Sequence, residues 1–149
     1  MLSDKLIAYF KEQNWWYEAE DIEDDELRVL KEIKVPLDSS FAFFFLHVSD
    51  GPTFISRNFE IYHVCWNLIN TNGLQIMMNS LWEDRPNGVL PKDFIPFSPF
   101  ERDTILLFNI KTNEVFEVDE SGIDLLVNNN KTAKWDTFND FLEWYFELS

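Results

Sequence analysis

Cysteine is almost absent from this chain of 149 residues. The one present, Cys65, has no partner for an internal disulfide, so burial of apolar surface must hold the fold together. Glycine is nearly as scarce, at 4, which leaves no phosphate-cradling glycine loop and nothing that resembles a nucleotide fold. Histidine is limited to His47 and His63, and the H-x-C of His63 and Cys65 has no second pair to complete a tetrahedral nitrogen and sulfur site. The serines lack a G-x-S-x-G elbow. No apolar run approaches the roughly 20 residues of a membrane span. The amino terminus, MLSDKLIAYFKEQ, lacks the basic, apolar, small-residue order of a secretory signal. A soluble, reducing, cytoplasmic setting is the expectation.

Basic residues are the other shortage: Lys+Arg 12 against Asp+Glu 27, a formal net charge of -15. Such a field repels nucleic acid and anionic membrane, and it speeds encounter with a basic protein. Solubility alone is the plain alternative. What the chain has in quantity is aromatic surface, with Phe 15, Trp 6 and 46% hydrophobic residues overall. That composition belongs to a globular chain, and the length suits one domain, residues 1–149, large enough to bury its own core.

The organising stretch is DFIPFSPFERDTILLFNIKTNEVFEVD, residues 93–119. It reads as three strands: Phe94 to Phe97, Thr104 to Ile110, and Glu114 to Val118, with Lys111-Thr112-Asn113 as the last turn. Ile105 to Phe108 is a nearly continuous apolar run, which predicts a central strand covered on both faces.

Taken from the start, Ser3 to Gln13 predicts a helix capped by Ser3, with Leu2, Leu6, Tyr9 and Phe10 on one face. Of Trp15, Trp16 and Tyr17, at least one must lie exposed or pack against a neighbouring element, the other two entering the core. Acidic residues from Asp21 open a second helix bearing Leu27, Leu30 and Ile33; Asp21, Asp24 or Asp25 is placed to cap it and Pro36 to end it. A calcium loop needs a glycine turn, and none is present here. Next, Asp38 or Ser39 caps a helix that buries Phe41, Phe44, Phe45 and Val48 and stops at Gly51, forming the lid over the central strand. His47, on or beside that face, reads as a hydrogen-bonded structural residue. Thr53 to Val64 reads as one or two strands turning near Arg57-Asn58. Leu74, Met77, Met78, Leu81 and Trp82 follow helical spacing, ending near Glu83-Asp84. Residues 120–134 are left open between strand and helix. Asp136 or Thr137 caps a final helix with Phe138, Phe141, Leu142, Tyr145 and Phe146 on its apolar face.

No catalytic constellation stands out. Cys65 sits among apolar and aromatic neighbours, where a raised pKa and inert packing are expected, and spacing alone singles out no acid/base pair among 27 carboxylates. The expectation is a protein that is not an enzyme and needs no cofactor or metal.

The order of these segments resembles the SMI1/KNR4, or SUKH, family. The resemblance is carried by Asp25 to Ile33, Val35-Pro36-Leu37, Phe41 to Gly51, Phe94 to Phe97, Thr104 to Ile110 with Val115 to Val118, and Thr137 to Leu142. Two departures are visible: the family's Leu-Gly is Ile33-Lys34 here, and its Leu-Pro is Val35-Pro36. The resemblance implies an α+β fold, a mixed and mainly antiparallel sheet flanked by helices, without conserved catalytic residues. Bacterial members are similar to immunity proteins of polymorphic toxin and contact-dependent inhibition systems, which bind a toxin domain, often a nuclease, and block it. Fungal relatives act as interaction hubs. The expected partner is therefore a basic cognate toxin, with a non-catalytic regulatory module for an endogenous partner as the alternative. The apolar surface would serve a homo-oligomer or a heteromeric interface equally well. Candidate partner-binding residues are Trp82, Glu83 and Asp84, and Glu101, Asp103, Asp119 and Glu120 at the ends of the core strands; a merely solvated rim is the plain alternative.

Overall fold

Phenylalanine packing sets the layers. The computed structural model describes residues 1–100 and 103–148. At its centre lies a three-stranded antiparallel sheet. We label its strands β3 (Phe94–Pro96), β4 (Ile105–Asn109) and β5 (Val115–Val118), with β4 in the middle. Every residue of β4 is buried, as its unbroken apolar run demands. Ile95 pairs with Phe108 and Leu107 with Phe116, and Pro96 is tolerated because β3 is an edge strand. The Asn109 side chain accepts from Lys111 N at 2.9 Å and closes the polar turn after β4.

A second sheet is the hairpin of β1 (Thr53–Ser56) and β2 (Phe59–Tyr62). Arg57 and Asn58 have φ 51 and 64 at its two-residue turn, the backbone twist that matches right-handed strands. The two sheets are joined where Tyr62 N donates to Phe97 O at 2.8 Å. The architecture is α+β, and every strand pairing among the described residues is antiparallel.

Helices cover the sheets: α1 (Asp4–Glu12), α2 (Asp24–Glu32), α3 (Ser40–His47), α4 (Val64–Asn70), α5 (Gly73–Glu83), α6 (Glu120–Val127) and α7 (Phe138–Tyr145). Ser3, Ser39 and Thr137 cap α1, α3 and α7 by accepting from backbone N–H groups in each first turn. The lid expected over β4 is α3. Phe41 stacks on Phe108 with ring centroids 4.4 Å apart, and Phe44 and Phe45 are fully buried beside it. Residues 120–134 resolve into α6 followed by a turn and an irregular segment that leads to Trp135, which bridges Val115.

Several local details differ from the sequence reading. The cap of α2 is Glu23, which forms a reciprocal capping box with Glu26, in place of Asp21, Asp24 or Asp25. The helix ends before Pro36: Lys34 takes φ 66, Lys34 N donates to Lys31 O and Val35 N donates to Leu30 O, both at 3.0 Å. That is a Schellman stop, normally built on glycine. Helix α3 ends at His47 with an extended Val48 as its cap, and Gly51, with φ +92, shapes the turn beyond it. Trp15 and Trp16 are only partly buried, while Tyr17 is exposed. The sequence reading missed α4, because its cap is His63, which accepts from Trp66 N at 3.1 Å through its ring. Among the described residues no helix is long and apolar enough to cross a membrane.

Lys34 stands where the family pattern has glycine, and a side chain in the left-handed region costs about 1 kcal/mol. Lys34→Gly is therefore expected to stabilise the fold by about that amount, read as a higher urea midpoint at unchanged slope.

Candidate partner-binding face

The end of α5 and the start of α6 are held together by one buried cation. The Arg85 side chain is 9% exposed. It donates to Gly88 O at 2.8 Å, to Asp124 at 2.5 Å and to Glu120 at 3.4 Å. Gly88 (φ +113) lets the loop press against α6, since a Cβ there would meet Val127 Cγ1 at 2.8 Å. On the same face Asp119 caps α6, accepting from Gly122 N at 2.7 Å and from the Ser121 hydroxyl at 2.9 Å. Those hydrogen bonds, the Gly122 one foremost, hold its carboxyl below the usual carboxylate range.

Phe100 rises beside these groups with 41% of its surface exposed. One shallow groove of about 290 Å3 runs past Met77, Asp84, Arg85, Phe100 and Glu120. A second, of about 360 Å3, is bounded by Phe100, Asp103, Asp119, Glu120 and Ser121. The fold thus gathers Asp84, Asp103, and the adjacent Asp119 and Glu120, from three separate segments, around one exposed aromatic ring.

The remaining candidates stand differently. Trp82 is 9% exposed and its indole donates to Phe94 O at 2.9 Å, so it is a support beneath the face and offers no exposed anchor. Its position on the apolar stripe of α5 already carried that alternative. Glu83 is exposed and ion-paired with Lys92 at 3.6 Å, outside both grooves. Glu101 lies outside the described residues. The sequence reading missed Phe100, Arg85 and Asp124. Phe100 had a usable signal, a large aromatic flanked by Pro99 and Glu101 in a loop.

A separate cavity of about 330 Å3 opens between the start of α2 and the ends of α3 and α4, with Glu26 and His63 among its lining residues. His63 is buried, its Nδ1 accepts from Trp66 N, and desolvation lowers its pKa to about 4 against a backbone hydrogen bond to Val48 that favours the charged form. The Glu26 carboxyl is raised, chiefly by burial, and accepts from Glu23 N at 3.1 Å. Cys65 is fully buried and burial pushes its thiol far up. Glu26 and His63 thus each have a backbone partner, and Cys65 is packed into the core.

The family model described as SMI1-KNR4 cell-wall matches residues 3–147. No match to this chain is found among curated proteins.

Two outcomes are expected from this geometry. Arg85→Gln should lower stability by about 2 kcal/mol in urea unfolding, because the Gly88 carbonyl and two carboxylates lose a charge-assisted donor. His63 gives a pH signature. Its folded pKa of about 4 lies below the ordinary value of 6.5, so between those values the unfolded chain binds more protons. Stability is then complete above pH 6.5 and falls by about 3 kcal/mol as pH drops to 4. His63→Asn, which keeps a capping acceptor, should flatten that part of the pH profile.

Proposed function

Because the chain belongs to the SMI1-KNR4 cell-wall family, and that membership is consistent with an immunity role, we propose that it is an immunity protein which binds a basic toxin domain and blocks it. A nuclease is the toxin class its charge suits best. Enzymes that hold phosphates carry positive charge at the substrate groove. A chain with net charge -15 is drawn to such a groove and competes with the nucleic acid for it.

The observation that carries this reading is the convergence of Asp84, Asp103, Asp119 and Glu120 on the exposed ring of Phe100. An aromatic anchor ringed by carboxylates matches what a basic surface requires: one buried apolar contact and a rim that pairs with Lys or Arg. Of these carboxylates Glu120 pairs with Arg85, whose side chain is largely buried and also holds Asp124.

The test is co-expression with the protein encoded by the adjacent gene. If that neighbour kills cells, this chain should restore growth and co-purify with it. Phe100→Ala, and Asp84→Lys combined with Asp103→Lys, should each raise Kd by about 30-fold or more, equivalent to about 2 kcal/mol, with the unfolding midpoint kept. A harmless neighbour, or killing that this chain does not relieve, would count against immunity and favour a regulatory module for an endogenous partner.

A further inference from the structure

The cavity between α2, α3 and α4 belongs to neither groove beside Phe100, and its lining is of a different kind. Its lining includes the apolar Phe45, Leu46 and Val48, the aromatic Tyr17 and Trp66, and the acidic Asp21, Glu23 and Glu26. At about 330 Å3 it sits at the small end of the ligand-pocket range, ~300–1,000 Å3.

The groups around it are already fixed. Tyr17 is pinned by its own backbone, its N–H donating to His47 O at 2.6 Å and its carbonyl lying 2.7 Å from His47 Nδ1. Two successive capping boxes set the carboxylates. Asp21 accepts from Glu18 N at 3.3 Å, and Glu26 accepts from Glu23 N at 3.1 Å. Each of these carboxylates retains oxygen lone pairs for a further donor. Elsewhere the chain supplies cations to its acids, as in Arg28 with Asp25 and Glu32 or Lys134 with Glu117. Among the described residues, no Lys or Arg forms an ion pair with Asp21, Glu23 or Glu26.

We propose that this cavity is a socket for an arginine side chain presented by a basic protein partner. Three carboxylates exclude an anion, and a neutral apolar group would desolvate them without pairing them. A guanidinium meets every part of the lining: its planar fork pairs with carboxylates, its flat face stacks on Tyr17 or Trp66, and its methylene stem lies along the apolar lining. Burial raises the Glu26 carboxyl in the free protein, and a guanidinium beside it acts in the opposite direction by favouring the charged form. The socket is independent of the Phe100 face and does not require that the partner be a toxin.

The probe is the tripeptide acetyl-Gly-Arg-Gly-amide, titrated into the full chain while the Trp66 indole and Tyr17 ring signals are followed by NMR. Saturable shifts confined to this cavity are expected, with Kd on the order of millimolar for so small a ligand. The same peptide with citrulline, which is neutral and nearly isosteric, should give none. Asp21→Asn and Glu26→Gln should each weaken binding about tenfold or more, whereas Asp84→Asn and Asp103→Asn should leave it unchanged. Trp66→Ala removes a ring that is 37% exposed and tests the stacking wall without disturbing a helix cap. Equal shifts with citrulline, or arginine-peptide shifts spread over the Phe100 face, would overturn the socket. Neither result bears on rescue from a toxin.

Discussion

The packing of Phe138 is the contact on which the other layers depend. Its ring meets Phe41, Phe44 and Phe45 from α3, Phe97 beyond β3 and Phe108 from β4. Helix α7 is delivered to that position from both sides. Trp135 bridges to Val115 on the sheet, and Thr137 caps the helix immediately before Phe138. At the far end the Tyr145 hydroxyl reaches the carbonyls of Phe59 and Phe54, Ser56 donates to Tyr145 O, and Arg57 donates to Trp144 O while stacking on the Trp144 ring. The last helix therefore clamps the hairpin, the lid helix and the central sheet into one aromatic core. Aromatic pairs add about 0.5–1.5 kcal/mol each beyond their burial, so such a core needs no disulfide.

Once the core is closed, the surface is left to charge. The acidic residues fall into groups with different surroundings. Around Phe100 they converge on shallow grooves, and one of them, Glu120, pairs with the buried guanidinium of Arg85. At the start of α2 they serve first as helix caps and then line a cavity with Tyr17 and Trp66. In both places aromatic residues sit among acidic ones, and in both a helix-capping carboxylate, Asp119 in the first and Glu26 in the second, is already held by a backbone N–H. Pre-set acceptors lose little entropy on binding, which is how a small contact area becomes a specific one.

Much of the fold was legible in the sequence because its periodicities were strong. The unbroken run Ile105 to Phe108 marked the central strand, the Phe41, Phe44 and Phe45 spacing marked the lid, and Arg57-Asn58 marked the hairpin turn. What was illegible depended on non-standard local chemistry. Histidine is a rare cap, so α4 went unseen; lysine is a rare left-handed stop, so the end of α2 was assigned to Pro36. The candidate face was partly legible. Asp84, Asp103, Asp119 and Glu120 were chosen as loop carboxylates near aromatic residues, and the fold brings them together. Trp82 was drawn toward the face by the same reasoning, yet its indole satisfies Phe94 O in the interior.

The sequence by itself determined the class of the protein: an acidic, aromatic-rich α+β chain whose segment order marks its family. Those properties are local or compositional, carried by residue spacing and by net charge, which survive any rearrangement of the chain in space. Only the tertiary structure decided which carboxylates share a surface, that Phe100 and not Trp82 stands exposed among them, and that a second acidic cavity is walled by Tyr17 and Trp66. Those are relations between residues far apart in sequence, and they exist only after α7 and α3 have closed on the central sheet.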